Sequence, residues 1–270
     1  MEITRSVDGT RLAYDRFGDG QPIIMVVGAF NTRSTTEPLA RALERDFTVF
    51  NYDRRGRGDS TDTAPYSVDR EIDDIEALIG EAGGSAAVFG YSSGAILALK
   101  AAARGLSITK LVLYEPPFQA DQNLPGLPTD LADRLTALVA ENRRGDAVEL
   151  FQTEAVGIPR EVVAQLRHAP FRPALEAMAQ TLVYESKIIG DRMVPTDLAG
   201  SVAPPTLVLV GDESPPFLRD GARAMADALP NGRLYTLAGQ THDIHPDATA
   251  PVMANFLAGR ECPEPSAPAS

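Results

Sequence analysis

The chain has no tryptophan, a single cysteine and only three histidines among its 270 residues. With Cys262 alone there is no internal disulfide, which excludes the disulfide-built secreted scaffolds. His168, His242 and His245 leave few choices for a general base. Neither H-E-x-x-H nor C-x-x-C occurs, so no metal and no cofactor are expected. No apolar run approaches the roughly 20 residues of a membrane-spanning helix. The opening Met1-Glu2-Ile3-Thr4-Arg5 lacks the apolar stretch of a secretory signal, so a cytoplasmic location is the expectation. Basic runs are missing too. Asp and Glu total 37 against 25 Lys and Arg, a net charge of −12, which argues against nucleic acid or an anionic membrane as partner. The expected partner is a small-molecule substrate. Oligomeric state is not legible.

What the chain does have is short apolar runs alternating with helical stretches. A chain of this length hides roughly three quarters of its unfolded surface, enough for one large domain or two small ones. The run Ala86-Ala87-Val88-Phe89 leads into Gly90-Tyr91-Ser92-Ser93-Gly94, and the alanine-rich Ala95 to Arg104 leads out as a helix. Strand, sharp turn and helix are the context in which G-x-S-x-G exposes a nucleophile. The turn strains the Ser92 backbone and lifts its hydroxyl off the end of the sheet. Gly90 and Gly94 are needed where neighbouring backbone passes too close for a side chain. The helix start beside Ser92 presents free N–H groups and a positive dipole end. The plain alternative is a glycine-rich turn carrying an ordinary serine.

Upstream, residues 2–17 turn at Asp8-Gly9 and form an antiparallel hairpin. Pro22 to Val27 is a wholly apolar strand, the kind buried on both faces of a parallel sheet, and it ends at Gly28-Ala29-Phe30-Asn31. A helix is expected over Thr36–Arg45 and a strand over Phe47–Tyr52. The loop Asp53-Arg54-Arg55-Gly56-Arg57-Gly58-Asp59-Ser60 lacks the phosphate-loop pattern. Its Asp53 and arginines are expected to pin it by ion pairs rather than bind phosphate. Ile72, Ile75, Leu78 and Ile79 recur at helical spacing within Val68–Glu81. Lys110–Tyr114 is the strand after the serine helix, stopping at Glu115-Pro116-Pro117. This alternation predicts an α/β fold with a mostly parallel central sheet flanked by helices. Ligands then bind beyond the carboxyl ends of the strands, where Gly28-Ala29, Asp53, Ser92 and Glu115 all fall.

From about Asp121 to Pro195 the pattern is helical and broken by prolines, over 131–142, 146–156, 160–166 and 174–184. Inserted after the sixth strand, it is expected to fold over the carboxyl ends as a lid. The core resumes with a strand at Pro205–Gly211, a helix at Pro216–Leu229, a strand at Arg233–Leu237 and a helix at Pro246–Leu257. The expected organisation is a core of 1–120 and 196–260, a helical lid of 121–195 and a disordered tail of 261–270. Phe118, Phe151, Met178 and Tyr184 are available to an apolar pocket, though packing of the lid itself accounts for them better.

A serine hydroxyl is a weak nucleophile until a base takes its proton. His242 follows the last strand, again at a carboxyl end, and is the candidate base. His168, in the lid, and His245, at the start of the last helix, are read as ordinary residues. The order Ser92, carboxylate, His242 is that of α/β-hydrolases. Adding Val27-Gly28-Ala29-Phe30, the loop from Tyr52 to Ser60 and Gly239-Gln240-Thr241-His242, nearly the whole chain resembles the α/β-hydrolase fold superfamily, in its compact, lid-bearing serine branch. That resemblance implies an oxyanion hole from the backbone N–H groups of Ala29 and Ser93, with Phe30 as a further candidate. Such donors are worth about 3 kcal/mol each in the transition state. Serine at the elbow speaks against relatives that carry aspartate there, such as haloalkane dehalogenases and epoxide hydrolases.

The sequence departs from the family pattern twice. Val27 replaces the histidine of the usual His-Gly pair. The Gly-x-x-Asp after the seventh strand reads Gly211-Asp212-Glu213-Ser214, so Ser214 stands where the acid is expected. The carboxylate that orients the histidine is then Glu115, on a strand the family also uses, or the runner-up Asp212. The expected activity is esterase-like: hydrolysis of an ester, thioester or similar acyl bond of a small organic molecule through a Ser-His-acid triad and an acyl-enzyme. Two other readings stay open. One is a non-hydrolytic natural-product enzyme (cyclase, lyase or C–C bond cleaving) with His242 as base. The other is a non-catalytic small-molecule receptor.

Overall fold

The computed structural model describes residues 1–121 and 123–263, so 264–270 of the expected tail lie outside the described residues. The chain opens with β1 (Glu2–Arg5) and β2 (Arg11–Phe17), then β3 (Gln21–Val26), α1 (Arg33–Leu43), β4 (Phe47–Tyr52), α2 (Val68–Glu81), β5 (Ala86–Tyr91), α3 (Ser93–Ala103) and β6 (Ile108–Tyr114). Six helices separate β6 from the next strand: α4 (Leu131–Ala140), α5 (Arg144–Phe151), α6 (Arg160–Leu166), α7 (Arg172–Ala177), α8 (Thr181–Ile189) and α9 (Thr196–Gly200). The chain closes with β7 (Thr206–Gly211), α10 (Pro216–Ala228), β8 (Gly232–Leu237) and α11 (Pro246–Leu257).

The strands form one eight-stranded sheet in the order β1-β2-β4-β3-β5-β6-β7-β8. β2 runs antiparallel to β1 and β4, and β3 through β8 are mutually parallel. Side chains alternate across a strand, and here both faces are covered. Ile24, Val26, Val88, Leu113 and Val208 pack in one cluster with α2, α3, α10 and the inserted helices. Ile23, Met25, Phe89, Val112 and Leu209 pack in the other with α1 and α11. This double burial is why the central strands read as unbroken apolar runs. From β3 the chain goes to one side, to β4, and then returns to β5 on the other side. The crevice at that reversal lies between the residues after β3 and those after β5, which is where ligands bind in such sheets.

Several elements differ from expectation, each for a physical reason. α1 starts at Arg33, not Thr36, because Asp53 Oδ1 accepts the Arg33 N–H at 2.8 Å and caps the helix from another strand. The helix expected over 146–156 stops at Phe151 and continues as a π-helical turn, Gln152–Val156, which ends at Gly157 with φ 84°. The helix expected over 174–184 is two helices. Gln180 Nε2 donates to Gly56 O at 2.9 Å and Thr181 Oγ1 to Met178 O at 2.8 Å, turning the chain against the arginine loop. α9 was not expected at all. Among the described residues no helix is long and apolar enough to cross a membrane.

Candidate active site

Ser92 has φ 55° and ψ −126°, a backbone conformation that L-residues avoid. Its neighbours hold it there. Ser92 N donates to Tyr114 O on β6 at 2.9 Å, and Ser92 O accepts from Ala95 N at 2.9 Å. A Cβ at Gly90 would lie 2.5 Å from Ala95 Cα, and one at Gly28 would lie 2.8 Å from Ser92 Cβ. Glycine is therefore required on both sides of the crevice.

The loop after β8 brings His242 to this serine. Its Nε2 lies 3.2 Å from Ser92 Oγ, and its Nδ1 lies 2.6 Å from Glu115 Oε2. With Nδ1–H donating to the carboxylate, Nε2 is the acceptor that faces the serine hydroxyl. Glu115 is fully buried and has φ 46°. Its other oxygen accepts the Gly211 N–H at 2.8 Å and the Ser214 hydroxyl. Ser214, the residue in the vacated acid position, is thus a donor to the acid that comes from β6. The Tyr114 hydroxyl shares its proton between the carbonyls of Thr241 and Asp243, at 3.0 and 3.1 Å, and so brackets His242. Asp212, the runner-up acid, does not reach the imidazole. Its Oδ1 accepts the Gly239 N–H at 2.7 Å and shapes the loop instead. His168 and His245 are exposed.

Ala29 and Ser93 both line the cavity at Ser92, and the Ser93 amide opens α3. The Ala29 amide, expected as an oxyanion donor, donates here to Ser93 Oγ at 2.9 Å. Behind this loop the arginines form the expected ion pairs. Arg54 donates to Val27 O at 3.0 Å, to Glu71 at 2.6 Å and to Glu185 of α8 at 2.8 Å. Arg57 donates to Gly28 O, to Asn31 O at 3.2 Å and to Glu185. Arg55 grips Asp74 with two bonds of 2.7 Å and reaches Asp8 at 3.0 Å. Burial pushes the Glu185 carboxyl up, but the charges of Arg54 and Arg57 outweigh it and hold the group below its ordinary value.

The cavity that contains Ser92 and His242 has a volume of about 190 Å³ and mostly apolar walls, including Phe151, Ala155 and Phe217. Of Phe118, Phe151, Met178 and Tyr184, only Phe151 lines it, edge-on to Phe30 at 5.6 Å between ring centroids. A larger cavity, about 350 Å³, lies at the opposite, amino ends of the strands around Pro22 and Lys110, away from Ser92 and His242. Arg192 also lines the smaller cavity. It escaped the reading of the sequence because nothing around it forms a pattern. Ser214 was recognised only as a missing acid, and Glu185 carried no signal because its partners lie more than 120 residues away. Among the described residues no three His, Cys, Asp or Glu side chains gather as metal ligands would.

Known proteins agree with this architecture. A model of the alpha/beta hydrolase family matches residues 23–254. A crystal structure of an alpha/beta hydrolase from Sphaerobacter thermophilus is 51% identical, covers 95% of this chain and 100% of its own, and superposes with a TM-score of 0.89. A non-heme haloperoxidase from Rhodococcus erythropolis is 25% identical over 90% of this chain and 93% of its own length. The enol-lactonase from Burkholderia xenovorans shares the fold at 23% identity, with a TM-score of 0.70 over 94% of this chain and 99% of its own. With a family match across most of its length and a serine elbow on the reversal point of a parallel sheet, this chain belongs to the alpha/beta hydrolase family of enzymes.

Proposed function

We propose that the protein is a serine hydrolase that cleaves an ester, thioester or similar acyl bond of a small organic molecule. The observation that carries this reading is the unbroken path from Ser92 Oγ through both nitrogens of His242 to the buried Glu115 carboxylate. His242 Nε2 takes the serine proton as Oγ attacks the acyl carbon. Glu115 stabilises the imidazolium and fixes its tautomer, with Gly211 and Ser214 holding the carboxylate in place. The oxyanion forms at the start of α3, on the Ser93 amide. The Ala29 amide joins it by exchanging Ser93 Oγ for the substrate oxygen. His242 then protonates the leaving group, and water attacks the acyl-enzyme by the same route in reverse.

Residues 121–195 serve as the lid in this reading. Phe151 of α5 and Ala155 of the π-helical turn form cavity wall, and they exclude water from the reacting carbonyl. Fluorophosphonate labelling tests the proposal. Wild type is expected to take up one label per chain and Ser92→Ala none. An unlabelled wild type, or equal labelling of the two, overturns it. The receptor reading and the non-hydrolytic reading require no such reactivity.

A further inference from the structure

The buried arginines of this protein are matched with carboxylates. Arg54 meets Glu71 and Glu185, Arg55 meets Asp74 and Asp8, and Arg172 meets Glu149 and Glu176. Arg192 differs. It lines the same cavity as Ser92 and His242, yet among the described residues it has no carboxylate partner. One Nη donates to Ala155 O, in the π-helical turn. The guanidinium carbon lies 5.8 Å from the centroid of the Phe217 ring. Nε is buried and has no partner among the described residues, as holds for one guanidinium nitrogen each of Arg54, Arg57 and Arg172. Burial lowers the pKa of the group, and no charge among the described residues offsets it.

The backbone holds this side chain in place at a cost. Arg192 has φ 67° and is tied on both sides, its N–H to Ile189 O at 3.2 Å and its carbonyl to Gln119 N at 2.8 Å. Among the described residues, five that are not glycine have positive φ: Phe30, Ser92, Glu115, Asn142 and Arg192. Asn142 is of the one type among them that tolerates this conformation well. Phe30 lies in the oxyanion loop, and Ser92 and Glu115 belong to the triad. Strain of this kind persists where a site requires it. The wall that binds Arg192 is itself a π-helical turn, a feature concentrated at functional sites.

An unmatched guanidinium in an apolar cavity is costly unless a counter-ion arrives. Its Nη N–H groups not used by Ala155 can donate to a carboxylate. A single cation would leave a phosphate dianion half-neutralised, with acceptor oxygens against apolar walls. The volume fits a short molecule, since an apolar cavity of about 150 Å³ takes up benzene and this one measures about 190 Å³. We propose that Arg192 is a specificity residue and that the substrate is a short ester or thioester bearing a free carboxylate, which Arg192 binds while Ser92 attacks the acyl carbon. This deepens the serine hydrolase reading and rests on it.

The test compares 4-nitrophenyl hydrogen glutarate with its methyl ester, which is the same molecule without the charge. Wild type is expected to favour the free acid by about tenfold or more in kcat/KM, through KM. Arg192→Met should lose that preference, so that its kcat/KM for the two esters becomes equal, and Arg192→Lys should keep part of it. Equal use of both esters by wild type overturns the proposal. So does an Arg192→Met variant impaired equally on both, which is what a purely structural tie between Ala155 and Phe217 would give. Glutarate binding to the Ser92→Ala variant by calorimetry separates this inference from the hydrolase reading. Binding that a further Arg192→Met change weakens about tenfold or more upholds the carboxylate site even without turnover. No binding in Ser92→Ala, with both esters still hydrolysed by wild type, removes the site and leaves the hydrolase.

Discussion

Two polar clusters stand at the same end of the sheet, and they are built to opposite rules. The first is the arginine loop after β4. Arg54, Arg55 and Arg57 are almost completely buried, face Glu71, Glu185 and Asp74, and give other donors to the carbonyls of Val27, Gly28 and Asn31. The second is the crevice between β3 and β5. There a buried carboxylate meets an imidazole that is 37% exposed, the hydroxyl of the backbone-strained Ser92 faces a cavity, and Arg192 meets no acid among the described residues. Both clusters bury charge. In the first, charge is balanced within the protein, which fixes the loop after β3 and ties α8 to it. In the second, Ser92, His242 and Arg192 line the cavity, where the proposed function places a substrate. Buried polarity alone therefore does not mark a site, but buried polarity left open onto a cavity does.

Substitutions can break this contrast, and the largest effect belongs to Glu115. Glu115→Gln keeps the shape and removes the charge that stabilises the imidazolium. A fall in kcat of roughly 10²–10⁴ on an activated ester is expected, in line with amide replacement of a triad acid. If kcat held while only stability fell, Glu115 would belong with the structural cluster. Glu185→Gln is expected to do the reverse. It leaves the buried Arg54 and Arg57 short of one negative charge, and a loss of about 3–5 kcal/mol in urea unfolding should follow. A Glu185→Gln protein with wild-type stability would show that the arginine loop is not held by charge balance. Asp212→Asn should change kcat by no more than about twofold, since that side chain contacts Gly239 and not His242.

The sequence made the scaffold, and most of the residues that meet at the crevice, legible for a local reason. Apolar strands buried on both faces, glycines at the elbow and a histidine after the last strand are signals carried by adjacent residues. The choice between Glu115 and Asp212 was not local. Both lie at the ends of neighbouring strands, and only the 2.6 Å approach of Glu115 to His242 separates them. Ser214 read as a vacancy because a missing acid is visible in a motif and a new hydrogen bond across 99 residues is not. The engagement of the Ala29 amide by Ser93 Oγ depends on a side-chain rotamer, which no pattern encodes. The helical segment was the least legible. Its apolar spacing runs on through Met178–Gln180, but the chain turns there because Gln180 and Glu185 bind the distant arginine loop. Arg192 stands out only once its surroundings are seen to lack an acid.

The most direct test of the central claim is to catch the covalent intermediate. The protein is mixed with 4-nitrophenyl acetate, quenched in acid during turnover, digested and mapped by mass spectrometry. The expected result is one acetyl group on the peptide that carries Ser92, lost in Ser92→Ala together with turnover. Turnover with no acetyl on Ser92, or with the acetyl on another side chain, would contradict a mechanism in which His242 and Glu115 activate that serine.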